Sequence, residues 1–342
     1  MAQLTKSRLH ITNGDGAANL LKASSVGGDV LPWRDPMHHG PFPSDLDIDA
    51  VSKVRARYLA GPKLTDDDVV RDFTLRNEHL KAFKRYQEVV LWFEHDLLDQ
   101  LQILQLLDWF RTAEFDPDTL ALICIDRFEG FEPFRGLGEL SPAQMSSLLE
   151  CRQPVTEAQL QLATDGWCAF RSPDPRDLEG FIAGELEPLP FLRGALMRHL
   201  EEYPWLCDGL TRTERQLLAL VAHGTSAPGN LFFENMGLET ALFMGDLLTF
   251  RNIANLCGAR IPLLLCEPKG EFVYPPDMTI SRDEFRQQRL SVTETGERIL
   301  SGDIDARDAV ERDFWLGGVH INSRQTMWMW DHNDQRLKAT SG

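Results

Sequence analysis

Residues 88–96 read EVVLWFEHD, a largely apolar run that ends in three polar side chains. An apolar run without alternation is typical of a strand that is buried on both faces of a sheet. Glu94, His95 and Asp96 end the run, and residues 97–110 after them are apolar almost all round, which predicts a largely buried helix. The stretch therefore predicts a strand, a polar cluster at its carboxyl end and a helix.

Three other short apolar runs occur in the first half of the chain. They cover residues 8–12, 29–31 and 120–125, and helical patterns separate them. Strands that alternate with helices form a mostly parallel sheet with helices on its faces. The sequence thus predicts an α/β fold, in which a Rossmann-like domain occupies residues 1–145.

The remainder of the chain predicts two more units. Residues 146–207 form a helical connecting region, and residues 208–342 form a winged-helix-like C-terminal domain. The first helix of that domain begins at a Thr-x-x-Glu capping box at 211–214, and a second is predicted over 238–257. Two strands within 319–330 predict a terminal hairpin that would serve as the wing.

Composition narrows the functional classes. The chain has 342 residues, 43% of them hydrophobic, and a formal net charge of −17. Because no segment has the clustered lysines and arginines that neutralise phosphates, tight binding to duplex DNA is not expected. No stretch has the length of a membrane span, so we expect no membrane partner.

The six cysteines contain no CxxC pair, which predicts buried free thiols and a reducing compartment. The polar N-terminus does not resemble a signal peptide. Together these features predict a cytoplasmic protein.

The first polar cluster lies between a predicted strand and a predicted helix. Asn13, Gly14, Asp15 and Gly16 would place backbone amides and a helix start next to an anionic group. Two glycines do not make a dinucleotide fingerprint or a P-loop. The alternative is a simple turn in which Asp15 caps the helix.

A proline-bounded loop after the second predicted strand carries Asp35, His38 and His39. Histidine titrates near neutrality or binds metal, and a nearby carboxylate would orient it. The alternative is an ordinary surface loop.

The third cluster is the most concentrated. Asp96, Asp99 and Gln100 have helical i, i+3, i+4 spacing next to Glu94 and His95. Buried carboxylates without partners are costly, so this otherwise apolar segment predicts a cation, an arginine or a ligand beside them. The alternative is that these acids merely favour the first turn of a helix. Since the carboxyl ends of parallel strands share one edge of a sheet, all three clusters are expected to converge there.

Several motifs resemble an uncharacterised bacterial family called domain of unknown function 1835. The resemblance covers nearly the whole chain and implies a family without implying an activity. The motifs that carry it are HITNGD at 10–15, PWRD at 32–35, HGP at 39–41, LWFEHDL at 91–97, DQLQ at 99–102, FRGLG at 134–138, MGD at 244–246, 293–302 and WLGGV at 315–319.

The leading functional hypothesis is an enzyme acting on a phosphorylated small molecule or nucleotide. The expected catalytic residues are Asp15, Asp35, His39, Glu94 and His95, with the carboxylates as general acid and base and the histidines carrying protons. In this hypothesis Asn13, Gly14 and Gly16 hold the anionic group, and Asp96 and Asp99 hold a divalent cation.

The second hypothesis is a ligand-sensing regulatory protein, in which the α/β domain binds a small molecule and the winged helix binds DNA or protein. A third is a pure interaction module in which the acids are structural. The sequence alone does not decide among these three functional hypotheses.

Overall fold

The computed structural model describes residues 8–60, 66–113, 117–268, 270–275 and 280–340. Its strands in chain order are β1 (Arg8–Thr12), β2 (Asp29–Pro32), β3 (Gly40–Pro41), β4 (Glu88–Glu94), β5 (Leu120–Ile125), β6 (Gln153–Pro154), β7 (Leu264–Glu267), β8 (Arg289–Val292), β9 (Asp313–Gly317), β10 (Val319–Asn322), β11 (Met327–Asp331) and β12 (Arg336–Thr340). Its α-helices are α1 (Asp15–Ala23), α2 (Ile48–Leu59), α3 (Asp66–Lys81), α4 (Leu97–Thr112), α5 (Pro142–Leu148), α6 (Glu157–Arg171), α7 (Pro175–Ala183), α8 (Leu192–Leu200), α9 (Arg212–Ala222), α10 (Pro228–Met236), α11 (Asp246–Cys257), α12 (Arg282–Gln287) and α13 (Glu294–Leu300).

The main sheet has the order β2-β1-β4-β5-β6. The first four strands are parallel, and β6 pairs antiparallel with β5 at the edge. All four strands expected from the apolar runs are present, and the α/β prediction is confirmed. Parallel pairing brings Thr12 beside Pro32 and Trp92, so β1, β2 and β4 end at the same edge.

The central strand β4 is buried on both sides, which explains its unbroken apolar sequence. Leu91 and Phe93 belong to the larger hydrophobic core, whereas Val90 and Trp92 belong to a second core that α1 helps to form. Successive side chains of a strand point to opposite faces, so both faces of the sheet are covered.

Buried glutamines of α4 attach the loop that follows β2. The Gln102 Nε2 donates to the carbonyls of Trp33 (2.9 Å) and Asp35 (3.1 Å). The Trp33 indole in turn donates to Gln105 Oε1 (2.9 Å). These bonds position the 33–39 loop against the helix that begins at the end of β4.

The largest hydrophobic core contains residues from all three units that the sequence predicts. Trp167 and Leu196 of the middle helices, and Leu316 and Trp330 of the C-terminal strands, all lie in the larger core with the sheet. A separate core is formed within residues 210–310. The last strands join the first core because β9 pairs in parallel with β3, next to the 33–39 loop.

The predicted terminal hairpin is wrong. Strand β10 pairs with β9, and β11 pairs with β12, so the two segments expected to form the wing do not pair with each other. The chain reverses between β9 and β10 at Gly317, whose φ of +60° favours glycine, and a further turn at 322–325 leads from β10 to β11. The hairpin that accompanies helices α9–α11 is β7–β8.

The helix expected over 238–257 also differs. It begins only at Asp246, after Gly245 as its N-terminal cap, and α10 precedes it as an additional helix. Sequence periodicity merged a helix and a loop, which is a common error at element boundaries.

The six cysteines are free, but only Cys266 is buried, while Cys151, Cys168 and Cys207 are exposed. The expectation of buried thiols is therefore wrong for half of them. Among the described residues, no helix combines the length and apolar character that crossing a membrane requires.

Candidate functional site

Three carboxylates meet at the carboxyl end of the central strand. Glu94 is the last residue of β4, Asp96 is the N-terminal cap of α4, and Asp99 lies in the first turn of that helix. One carboxylate oxygen from each lies within 4.8 Å of the others, and all three residues are buried. We call these three residues the carboxylate cluster.

Amide donors from two other strand ends contact the cluster. The Asn13 Nδ2, just after β1, donates to Glu94 Oε1 (3.2 Å) and to Asp99 Oδ2 (3.1 Å). The backbone N–H of Leu137, in a segment after β5, donates to Glu94 Oε1 (2.6 Å). The backbone N–H of Glu94 donates to Asp99 Oδ2 (2.6 Å). These neutral donors hold the carboxylates, and no described basic side chain forms a salt bridge with any of the three.

Gly136 lets the chain approach Glu94 closely. Its φ is +139°, and an added Cβ would lie 2.3 Å from Glu94 Oε2. A side chain at this position would clash with the carboxylate and strain the backbone. Glycine is therefore required for Leu137 to reach Glu94.

Burial strongly disfavours the ionised forms of the cluster. It raises the pKa of Glu94 to about 8, with a further contribution from the charge of Asp96. Burial likewise raises the pKa of Asp96 to about 7, and that of Asp99 well above its ordinary value. Asp99 Oδ1 is buried with no hydrogen-bond partner among the described residues. Near neutral pH the cluster consequently needs protons or a cation.

Asp15 and Asp35 make contacts of their own, apart from the carboxylate cluster. Asp15 is exposed and accepts from Arg34 at 2.9 Å and 2.7 Å. Asp35 forms a buried ion pair with Arg55 at 2.6 Å, and that guanidinium also donates to the carbonyl of His39 (2.7 Å). The five proposed catalytic residues thus fall into separate contact groups, and Asp35 has a partner that accounts for its charge.

His39 belongs to a third group. Its Nδ1 is hydrogen-bonded to the Tyr58 hydroxyl, which also accepts from Arg251 Nη1 (3.0 Å). Burial, followed by the charges of Arg251 and Arg55, lowers the pKa of His39 to about 3. His38 is more deeply buried, and its ring lies edge-on to Phe243. Of the two histidines, only His39 has a described side-chain hydrogen bond.

The N-terminus of α1, beside the carboxylate cluster, has free space around it and no side-chain cap. Gly14 is the N-terminal cap of α1 and provides no side-chain cap, so the first backbone N–H groups of the helix lack that partner. An added Cβ at Gly14 or Gly16 would meet nothing within 4 Å. His95 follows Glu94, packs against Phe191 with ring centroids 6.0 Å apart, and has a buried Nδ1 with no described partner.

Sequence reasoning therefore found the acids of the cluster and Asn13, but it missed Gly136, Leu137, Tyr58 and Arg251. The FRGLG motif at 134–138 was a signal for the first two. No local pattern indicated Tyr58 or Arg251. Each is a single residue on its own helix, and no sequence spacing relates the two.

Comparison with known proteins identifies no relative of this chain that would assign a role to the site. No family model matches the chain, and no curated protein is significantly similar to it. Membership of the domain of unknown function 1835 family stays a prediction. The fold and the site define an α/β protein with a buried carboxylate cluster at the carboxyl edge of its parallel sheet.

Proposed function

We propose that this protein is an enzyme acting on a phosphorylated small molecule or nucleotide, with a divalent cation held by Glu94, Asp96 and Asp99. The observation that carries the proposal is the convergence of three buried carboxylates within 4.8 Å without a basic partner in the described structure. Such an arrangement is costly when ionised and becomes favourable when a cation binds.

The donor set fits a hard cation. Mg²⁺, Mn²⁺ and Ca²⁺ prefer carboxylate and carbonyl oxygens, and the cluster offers only carboxylates. When bound, the cation would polarise a phosphoryl oxygen or lower the pKa of a water molecule. Asn13 and the Leu137 N–H would keep orienting Glu94 and Asp99 through the hydrogen bonds they already make.

The neighbouring helix start supports a phosphorylated substrate. Asn13 touches the cluster, and the next residues begin α1, whose N-terminal amides favour an anion. The space around Gly14 and Gly16 is open, and the exposed Arg34 guanidinium lies close by on Asp15. A cation site and an anion site side by side suit a metal-bound phosphate. His95 directly follows Glu94, and its buried Nδ1 has no hydrogen-bond partner among the described residues.

A ligand-sensing regulatory or interaction protein remains the second candidate. The observation that favours it is a cavity of about 540 Å³ between the 38–39 loop and α11. Helix α11 contributes Arg251, Asn252 and Asn255 to the wall of this cavity.

Metal titration of the EDTA-treated protein tests the proposal. Mg²⁺, Mn²⁺, Ca²⁺ or Zn²⁺ at about a hundred times its dissociation constant should add about 2.7 kcal/mol to the free energy of unfolding. Glu94→Gln and Asp99→Asn should abolish the effect. Asp126→Asn is the matched control, because Asp126 is an exposed acid just after β5.

A wild-type protein that is not stabilised by any of these ions would refute the cation site. Equal stabilisation of the cluster variants and the control would do the same. Turnover of phosphorylated compounds, screened in the presence of the stabilising ion and lost in Glu94→Gln, is the result expected of an enzyme.

A further inference from the structure

We infer that the cavity between the 38–39 loop and α11 is a second ligand site, which binds a small phosphate or carboxylate anion through Arg251. The proposal does not depend on the carboxylate cluster. The cavity has a volume of about 540 Å³, within the range of about 300–1,000 Å³ that small-molecule sites occupy. Its walls come from both hydrophobic cores, and the residues used below are His39, Arg251, Asn252, Asn255 and Arg260.

The two buried acids of the cavity wall are paired with buried arginines. Glu202 binds Arg198 at 2.6 Å. Glu214 binds the buried Arg312 at 2.8 Å. The remaining two acids, which are exposed, are Glu311 at 4.0 Å from Arg324 and Asp313 at 2.6 Å from His320.

Two arginines of the same wall lack a carboxylate. Within the described residues, Arg251 and Arg260 take part in no salt bridge. Arg260 donates to the backbone carbonyl of Asp308, and Arg251 donates to the Tyr58 hydroxyl. In a chain with a net charge of −17, two arginines left without a carboxylate at a cavity point to an anionic ligand.

A hydrogen-bond chain fixes Arg251 and His39. Arginine can only donate, so the Tyr58 oxygen accepts from Arg251 and its hydroxyl proton goes to His39 Nδ1. The guanidinium carbon of Arg251 also lies 5.2 Å from the centre of the Tyr58 ring. With Nδ1 as the acceptor, the neutral His39 imidazole carries its proton on Nε2, which makes the ring a second donor at the cavity.

Amides from α11 complete the wall. Arg251, Asn252 and Asn255 share one face of the helix by spacing, while Phe250, Ile253 and Leu256 face the core. Two amide side chains beside a fixed arginine suit a ligand with both an anionic group and neutral polar groups. A phosphate or a carboxylate meets the charge requirement equally, because each accepts paired bonds from a guanidinium.

Binding measurements in EDTA test the inference. The probes are pyrophosphate, AMP, citrate and inorganic phosphate. Calorimetry and thermal unfolding measure whether each of them binds. Wild-type protein should bind at least one of them. Tighter binding of the phosphates than of citrate would indicate a phosphate ligand, and tighter binding of citrate would indicate a carboxylate ligand.

Three variants locate the bound probe. Arg251→Gln should weaken binding about tenfold or more, since it removes a charged donor, and Arg251→Lys should recover part of the loss. Tyr58→Phe keeps the ring and the fold but releases Arg251, so it should weaken binding about threefold or more. Arg71→Gln, at an exposed residue of α3, is the matched control and should bind as the wild type does. Arg34→Gln reports whether a probe binds at the start of α1.

The opposite results overturn the inference. The inference would be wrong if the wild type bound none of the probes, or if Arg251→Gln and Tyr58→Phe both bound as tightly as the wild type. It would also be wrong if only Arg34→Gln lost binding. The last result would place the probe at the start of α1 instead. Asp99→Asn should leave binding intact in EDTA, so failure of the cation proposal and failure of this one are separable.

Discussion

Replacing Glu94 by glutamine should change how the stability of the metal-free protein depends on pH. Burial and the neighbouring Asp96 raise the pKa of Glu94 to about 8, against an ordinary value of 4.5. The folded protein therefore keeps a proton that the unfolded chain releases between these two values. This contribution to stability is fully present below pH 4.5 and is lost as the pH rises through about 8.

The magnitude follows from the two pKa values. One pKa unit corresponds to about 1.4 kcal/mol, so the Glu94 contribution should fall by about 3 kcal/mol between pH 5 and pH 8. Glutamine stays neutral, and its Oε1 can still accept from Leu137 and Asn13. The variant should therefore lose the Glu94 part of the pH dependence, keep the part that comes from Asp96 and Asp99, and retain the local hydrogen bonds.

Urea unfolding in EDTA at half-unit steps of pH measures the effect. The quantity of interest is the wild-type free energy of unfolding minus that of Glu94→Gln, because the buried histidines contribute equally to both proteins. Glu150→Gln, a change at an exposed site, is the control and should follow the wild type. A difference that stays flat from pH 5 to pH 8, or that increases, would refute the buried-proton argument.

Three other predictions concern Gly136, the ion pairs of Asp35 and Asp15, and binding to duplex DNA. Gly136→Ala should destabilise the protein by about 2 kcal/mol or more in urea unfolding, because a Cβ would lie 2.3 Å from the Glu94 carboxylate at a positive φ, whereas Gly138→Ala meets nothing within 4 Å and should be nearly neutral. Asp35→Asn should cost about 3–5 kcal/mol in the same assay, since it breaks a buried ion pair. Asp15→Asn, at an exposed pair, should cost less than about 1 kcal/mol, and equal losses would contradict the structural role assigned to Asp35. Fluorescence anisotropy at physiological salt should show duplex DNA binding no tighter than about micromolar, and nanomolar sequence-selective binding would favour the regulatory hypothesis over the enzyme.

Part of the site was predictable because it depends on strand ends. The acids Glu94, Asp96 and Asp99 lie close together in the sequence of one βα unit, so local spacing placed them near one another. Asn13 lies at the end of a neighbouring parallel strand, where topology brings it to the same edge. Asp15 and Asp35, which were expected in the same crevice, form ion pairs with Arg34 and Arg55, and no spacing pattern in the sequence predicts such pairs.

The sequence by itself determined the four parallel strands of the main sheet, but not its antiparallel edge strand β6. Short apolar runs that alternate with helical patterns identify β1, β2, β4 and β5, because burying both faces of a strand requires that composition. It also determined which acids would crowd the end of β4. Both features are local, and local periodicity and local charge are what a sequence displays directly.

Only the tertiary structure decided the long-range pairings. The placement of Gly136 and Leu137 over Glu94, the meeting of Tyr58 with Arg251, and the pairing of β9 with β3 each join residues far apart in the chain. Such contacts form because the packed cores bring separate elements into register, and their free energy depends on burial that no single segment has alone. The chemistry of both candidate sites rests on these pairings.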